Sequence, residues 1–157
     1  MLYLEQIFTR KVQMSEWREI EAEWLGGDTF IGKNSRGGAV QMGKLNDKQG
    51  VSPMEMILAG LAGCTGIDIV DILQKKREPL QALKVRVRGR KADDFPKIYK
   101  EIDVTYLVWG DGINPKAVER AIELSEEKYC SVSLMLKPVA EIHSSYKIFK
   151  PGETESP

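Results

Sequence analysis

One histidine and two cysteines in 157 residues exclude most of the familiar site chemistries. A structural zinc site draws on four Cys or His ligands, usually with a C-x-x-C pair. This chain has neither, so no metal is expected. His143, in the strand-like run EIHSS, has no G-x-S-x-G elbow to partner it, which leaves a Ser–His–Asp triad without support. P-loop and G-x-G-x-x-G patterns are missing too, and no cofactor is expected. Excess charge of one sign is also lacking. Lys+Arg and Asp+Glu both total 23, so no global field favours nucleic acid or a membrane surface. The first eleven residues carry Glu5, Arg10 and Lys11 rather than the apolar core of a signal peptide, so the expected compartment is the cytoplasm. In that compartment two cysteines are not a disulfide framework. They are inert core residues or redox groups.

What is present is an ordinary globular composition, 42% apolar and 29% charged. The length suits one domain, expected over 1–149, followed by a disordered tail over 150–157. Residues 1–15 form an extension with two readings. Leu4, Ile7, Phe8 and Val12 fit a short amphipathic helix, but Lys11 spoils its face and an edge strand fits as well. From 20 to 24, Ile20, Ala22 and Trp24 alternate with glutamates, as on a half-buried strand. Glycine-bearing turns then separate short strands at 29–32 and 39–42, making a β-meander.

The chain is organised around 52–76, SPMEMILAGLAGCTGIDIVDILQKK. Ser52 is a favourable N-cap, Pro53 suits the first helical position, and Glu55 completes an S-x-x-E capping box. Between Met54 and Val70 only Glu55 and Asp68 are charged, so the helix is apolar almost all round. Its apolar run falls short of the ~18–20 residues a bilayer needs, which makes it a core helix. Gly60, Gly63 and Gly66 each cost roughly 1 kcal/mol against alanine, and close approach of another backbone is the simplest reason for them. Cys64 lies at the edge of that small-residue stripe, level with Ile57, Leu61 and Asp68. Asp68 and Asp71 read as the polar end of the helix.

Beyond a break at Arg77-Glu78-Pro79, two alternating runs, 83–87 and 102–108, form a hairpin with one apolar face. Its basic row (Lys84, Arg86, Arg88) faces Glu101 and Asp103, so cross-strand pairing explains it better than a nucleic-acid stripe. Asn114 and Pro115 start a second helix. Its stripe of Val118, Ala121, Ile122 and Ser125 suits packing on the small-residue side of the first, and it ends near Cys130. A short turn over 131–136 and a last strand over 138–149 follow. The order βββ–α–ββ–α–β is α+β with antiparallel pairing, and so apolar a helix in so short a chain points to cover by a second subunit. If the two helices pack, Cys64 and Cys130 meet. They are then either two core thiols or a pair able to run a peroxide cycle.

PMEMILAGLAGCTGIDIVDIL, EEKYCSVSLML and VAEIHSSYKIF, with the AEWLGG…RGGAV meander, resemble the OsmC/Ohr family, the osmotically inducible and organic-hydroperoxide-resistance proteins. The resemblance covers roughly 19–149. It implies an intertwined homodimer, with antiparallel sheets wrapped around two central helices and active sites at the subunit interface. It also implies reduction of hydroperoxides by Cys64 as the peroxidatic thiol and Cys130 as the resolving one, with a dithiol supplying electrons. Arg36, in RGGAV, matches the arginine that activates the family's nucleophile. The glutamate found ten residues before that nucleophile has no counterpart. Met54 stands there, and Glu55 points about 180° from Cys64 on a continuous helix. That departure places the chain nearer the OsmC-like branch. It also motivates an alternative, a dimeric binding protein for a small hydrophobic ligand with cysteines that merely pack.

Overall fold

A computed structural model describes residues 17–44 and 50–155, so the expected helix or edge strand within 1–15 lies outside the described residues. Where length alone suggests one domain, the chain divides into two compact units, Met1–Val51 and Ser52–Pro157. Each is taken by itself.

The first unit is the expected meander: β1 (Glu21–Gly26), β2 (Thr29–Lys33) and β3 (Ala39–Met42), antiparallel in that order. The turn between β2 and β3 is fixed by Asn34, whose Oδ1 accepts from the N–H groups of Arg36 and Gly38, both at 2.9 Å. Gly43 closes the sheet at φ 88°. A Cβ there would stand 2.2 Å from the carbonyl oxygen of Asp28, so no other residue fits. The alternation over 20–24 does not give a half-buried strand. Ile20 and Trp24 keep 62% and 64% of their surface exposed.

The second unit begins with α1 (Pro53–Lys75), capped as the sequence predicts. The Glu55 N–H donates to Ser52 Oγ at 3.2 Å, and the Ser52 N–H donates to Glu55 Oε2 at 2.8 Å. The Ser52 backbone N–H first, and then its side chain, hold the Glu55 carboxyl below its usual range. At the other end Arg77 turns left-handed, φ 58°, and the N–H of Glu78 reaches back to the Leu73 carbonyl at 3.0 Å, a Schellman closure. The hairpin follows as β4 (Leu80–Lys91) and β5 (Tyr99–Gly110). Its basic row is paired as expected. Arg88 lies opposite Asp103 at 2.7 Å and Arg90 opposite Glu101 at 2.9 Å.

The last strand, β6 (Glu141–Phe149), corrects one expectation. It pairs with β5 in parallel, not antiparallel. β5 ends at Gly110, whereas β6 begins beside Glu101, so the chain must run back along the whole sheet. It does so through α2 (Pro115–Leu124), a π-helical turn (Ser125–Tyr129) and α3 (Ser131–Leu136). That crossover carries Cys130 onto α1.

Packing corrects the sequence reading of α1 at one point and, within the single chain, covers only part of the helix. One stripe, Leu58, Leu61, Thr65, Ile69 and Leu73, is buried against the sheet and the crossover helices. The opposite side is open, with Ile67 72% exposed. The corrected point is α2, which does not pack on the glycines. A Cβ at Gly60 or Gly63 meets nothing within 4 Å among the described residues, and only Gly66 touches a neighbour, Val85 at 3.4 Å. The α2 stripe (Ala117, Val118, Ala121, Ile122) joins the large-residue face instead. Each fully buried Leu or Ile there contributes roughly 1.5–3 kcal/mol, enough to set which face turns inward. Contrary to the expectation from its apolar run, α1 is long and apolar enough to cross a membrane, yet its packed stripe is committed to its own chain. Residues 150–155, expected to be disordered, carry contacts. Trp109 Nε1–H donates to the Glu153 carbonyl at 2.8 Å, and Arg86 grips Glu155 through two bonds of 2.7 Å.

Candidate active site: a thiol pair beside a buried hydroxyl chain

Cys64 sits in the middle of α1, half-buried, on the border between the packed stripe and the open glycine side. Cys130 is fully buried and reaches it from the crossover. The π-helical turn makes this possible. The wide turn is closed by the Cys130 N–H donating to the Ser125 carbonyl at 2.8 Å, five residues back. Cys130 then leaves helical conformation, φ −73° and ψ 99°, to become the N-cap of α3, its Sγ accepting from the Ser133 N–H at 3.4 Å. In this position it is near enough to Cys64 for that thiol to act on its own protonation. The packing of the crossover on α1 therefore places the two thiols near one another.

Burial pushes the Cys130 thiol up to about 11. The Ser133 N–H opposes that shift, while the Cys64 thiol and the Asp68 carboxylate add to it. At neutral pH Cys130 thus holds its proton. The two sulfurs differ in accessibility as well: Cys64 borders the open side of α1, and Cys130 has no exposed surface.

Asp68 is more than the polar end of a helix. Its Oδ2 accepts from Ser125 Oγ at 2.8 Å. Ser125 Oγ lies 2.9 Å from Thr65 Oγ1, which lies 2.7 Å from the Tyr106 hydroxyl. Thr65, Ser125 and Tyr106 are all within 1% of complete burial, so each hydroxyl finds its partner inside the chain. A buried hydroxyl left unpaired costs about 1–3 kcal/mol, and three mutually satisfied ones fix how α1, β5 and the π-helical turn meet. Burial pushes the Tyr106 hydroxyl up to about 12 against the bond from Thr65. None of these hydroxyls was a site candidate in the sequence. The one available signal is that Thr65 and Ser125 are the polar members of otherwise apolar stripes. Asp71 behaves as expected, pairing with Lys75 at 2.6 Å on the surface.

The other candidates are placed as follows. Arg36 is exposed at the β2–β3 turn, in the first unit, whereas both cysteines belong to the second. Glu55 is occupied with its cap, and Met54 packs against the core while its carbonyl accepts from the Tyr99 hydroxyl at 3.0 Å. His143 lies on β6, with Nε2 3.8 Å from Glu141 and 3.9 Å from Glu101. Among the described residues no cluster of three or more His, Cys, Asp or Glu side chains has metal-binding geometry.

A three-stranded mixed sheet crossed by a long central helix, with one thiol on that helix and a second near it on the crossover, defines an α+β protein. The chain belongs to the OsmC-like protein family, whose model matches residues 46–145. It is 35% identical over 130 residues to Protein YhfA of Escherichia coli K12, covering 83% of this chain and 97% of that one. A hypothetical protein from Aquifex aeolicus VF5 shares 36% identity and superposes with a TM-score of 0.77, over 86% of this chain and 98% of that one. An OsmC-like protein from Mycoplasma pneumoniae has the same fold at 14% identity, TM-score 0.73, over 86% and 99% of the two chains.

Proposed function

We propose that this OsmC-like protein is a cytoplasmic thiol peroxidase that reduces hydroperoxides through Cys64 and Cys130. The observation that carries the reading is a half-buried thiol on α1 neighbouring a fully buried one held protonated. Cys64, as thiolate, attacks the outer peroxide oxygen. The O–O bond breaks, the alkoxide leaves and takes a proton to become the alcohol, and Cys64 becomes a sulfenic acid. Cys130 then attacks that sulfur, forming the disulfide and releasing water, and an external dithiol restores both thiols. The test is a titration: hydroperoxide should remove two titratable thiols per chain and lower the mass by two hydrogens. Two thiols still titratable after hydroperoxide treatment anywhere from pH 6 to 9 would sink the reading.

Two further elements belong to it. The open side of α1 borders a groove of about 740 Å³ lined by Gly63, Gly66, Ile67, Val70, Leu83 and Val85, and a second copy of the chain is the cover the reading requires. Replacing Gly63 with leucine should leave the isolated chain folded, because a Cβ there meets nothing within 4 Å among the described residues and leucine favours helix over glycine by roughly 1 kcal/mol. The same change should turn a dimer into a monomer on size exclusion. A Gly63→Leu protein that remains dimeric removes this face from the interface.

Arg36 is the proposed activator of Cys64. A thiolate in apolar surroundings needs a compensating charge, and Cys64 is too far into α1 to draw on the helix dipole, which acts mostly within the first turn. Arg36→Ala should slow the reaction of Cys64 with hydroperoxide at least tenfold, about 1.4 kcal/mol, with the dimer intact. Unchanged reactivity would assign activation to another group.

The alternative, a binding protein for a small hydrophobic ligand, is favoured by the same apolar groove and by the occupation of Glu55 in its cap. A Cys64→Ser protein that keeps both ligand affinity and cellular phenotype would select it.

A further inference from the structure

Among the described residues one buried side-chain oxygen has no hydrogen-bond partner, Ser133 Oγ on α3. Ser133 keeps only 1% of its surface exposed, so the hydroxyl is closed to bulk water and to a second subunit alike. A buried hydroxyl without a partner destabilises the fold, and native chains hold few of them.

The local geometry explains how this one is orphaned. Cys130 is the N-cap of α3, so Ser133 stands at the third helical position, whose side chain reaches back towards the cap. In α1 the same position is held by Glu55, which accepts from the backbone N–H of its cap. In α3 the cap N–H is committed to the Ser125 carbonyl at 2.8 Å, and Ser133 Oγ has nothing there to accept. What the hydroxyl can still offer is its hydrogen, and the cap side chain is a sulfur. The backbone N–H of the same serine already donates to that sulfur at 3.4 Å.

A thiol sulfur is a weak acceptor, and one donor suffices for it. A thiolate is a charged acceptor, and its hydrogen bonds are roughly twice as strong as those between neutral groups. Cys130 must become a thiolate when its disulfide with Cys64 is reduced. The thiolate of an external dithiol attacks Cys64 Sγ, the more accessible sulfur. A bond forms from the reductant to Cys64, the Cys64–Cys130 bond breaks, and the electron pair departs on Cys130 Sγ. The second thiol of the reductant, losing its proton, then attacks the first and frees Cys64. The two protons given up by the dithiol end on the two cysteines. The rate of such an exchange depends on how readily the leaving sulfur carries charge. Cys130 carries it with no exposed surface, where an anion without donors is costly.

We propose that Ser133 is a catalytic residue of disulfide reduction: its hydroxyl, unpartnered while Cys130 is a thiol, turns about Cα–Cβ and donates to Cys130 Sγ beside its own N–H as the sulfur becomes anionic. The proposal rests on the reading of Cys64 and Cys130 as a redox pair. The destabilisation of the resting fold and the gain in rate then have one origin.

These two consequences have opposite signs, which separates the role from a structural one. Ser133→Ala removes the orphan hydroxyl and keeps the N–H. In the reduced state this variant should unfold at a higher urea concentration than the wild type. Its disulfide should nevertheless be reduced more slowly, by about tenfold or more. Ser133→Thr keeps a hydroxyl and should stay within about threefold of the wild-type rate. Rates are read on the full-length protein after diamide has closed the disulfide, with dithiothreitol as reductant and free thiols counted by mass after an acid quench and alkylation. An alanine variant reduced at the wild-type rate overturns the proposal. So does one less stable than the wild type, because the hydroxyl would then have a partner in the resting fold. A threonine variant as slow as the alanine one overturns it too, as does failure of diamide to form the disulfide, since Cys130 would never leave as a thiolate. A disulfide that diamide closes and hydroperoxide does not brings down the peroxidase reading alone, and the Ser133 rates still decide this one.

Discussion

Cys64→Ser should abolish hydroperoxide consumption, by more than about a thousandfold, while Cys130→Ser should consume one equivalent per chain and stop. The asymmetry follows from the two environments. Cys64 borders the open side of α1, where a substrate can arrive; Cys130, itself the N-cap of α3, is fully buried and keeps its proton. Without Cys130 the sulfenic acid has no partner in reach, and a dimedone adduct on Cys64 should accumulate to one per chain. Without Cys64 the remaining thiol is both buried and protonated, so peroxide should leave it titratable. The reverse pattern, with Cys130 accumulating the adduct, would exchange the roles of the two residues. Multiple turnovers by Cys130→Ser would show that an external thiol resolves Cys64 directly.

The second large effect concerns alkaline stability. The Cys130 thiol is pushed up from 9.0 to about 11, chiefly by burial. A folded-state pKa above the unfolded one means the native state holds a proton that the unfolded chain releases. The associated stability is complete below about pH 9 and is lost as the pH rises through about 11. The loss should be on the order of 2 kcal/mol, read as a falling urea midpoint. Tyr106, pushed up to about 12 and also by burial, adds a loss of the same sign at higher pH. The two are separated by Cys130→Ala, which should be weaker than wild type at pH 7 from lost packing but should lose less between pH 9 and 11. Parallel curves for the two proteins would mean that Cys130 ionises in the fold as it does in the open chain.

Wherever a local rule was sufficient, the sequence was legible. The capping box at Ser52 and Glu55, the Asn114–Pro115 start, the glycine turns of the meander and the pairing of Arg88 with Asp103 and Arg90 with Glu101 all depend on neighbours along the chain or directly across a hairpin. The candidate thiols were also named by residue type and by their positions on two helices. The turn that carries Cys130 off the helix to the N-cap of α3 could not be read from the pattern, because the π-helical residues before it have no apolar period of their own. The parallel pairing of β6 was illegible for a related reason. A strand's alternation records which face is buried, and it does not record which way its neighbour runs.

By itself, then, the sequence determined the main elements and their caps, and it named the two candidate thiols, since those follow from propensities and spacings a few residues long. The three-dimensional fold alone decided which side of α1 turns inward. Four large residues and Thr65 outweigh three glycines in buried area, so the small-residue stripe was left open rather than filled by α2. It also decided that Thr65, Ser125, Tyr106 and Asp68, drawn from α1, β5 and the π-helical turn, meet as one hydrogen-bonded series beside the cysteines. A buried hydroxyl must find a partner wherever the packing offers one, and no short-range pattern in the chain says where that will be.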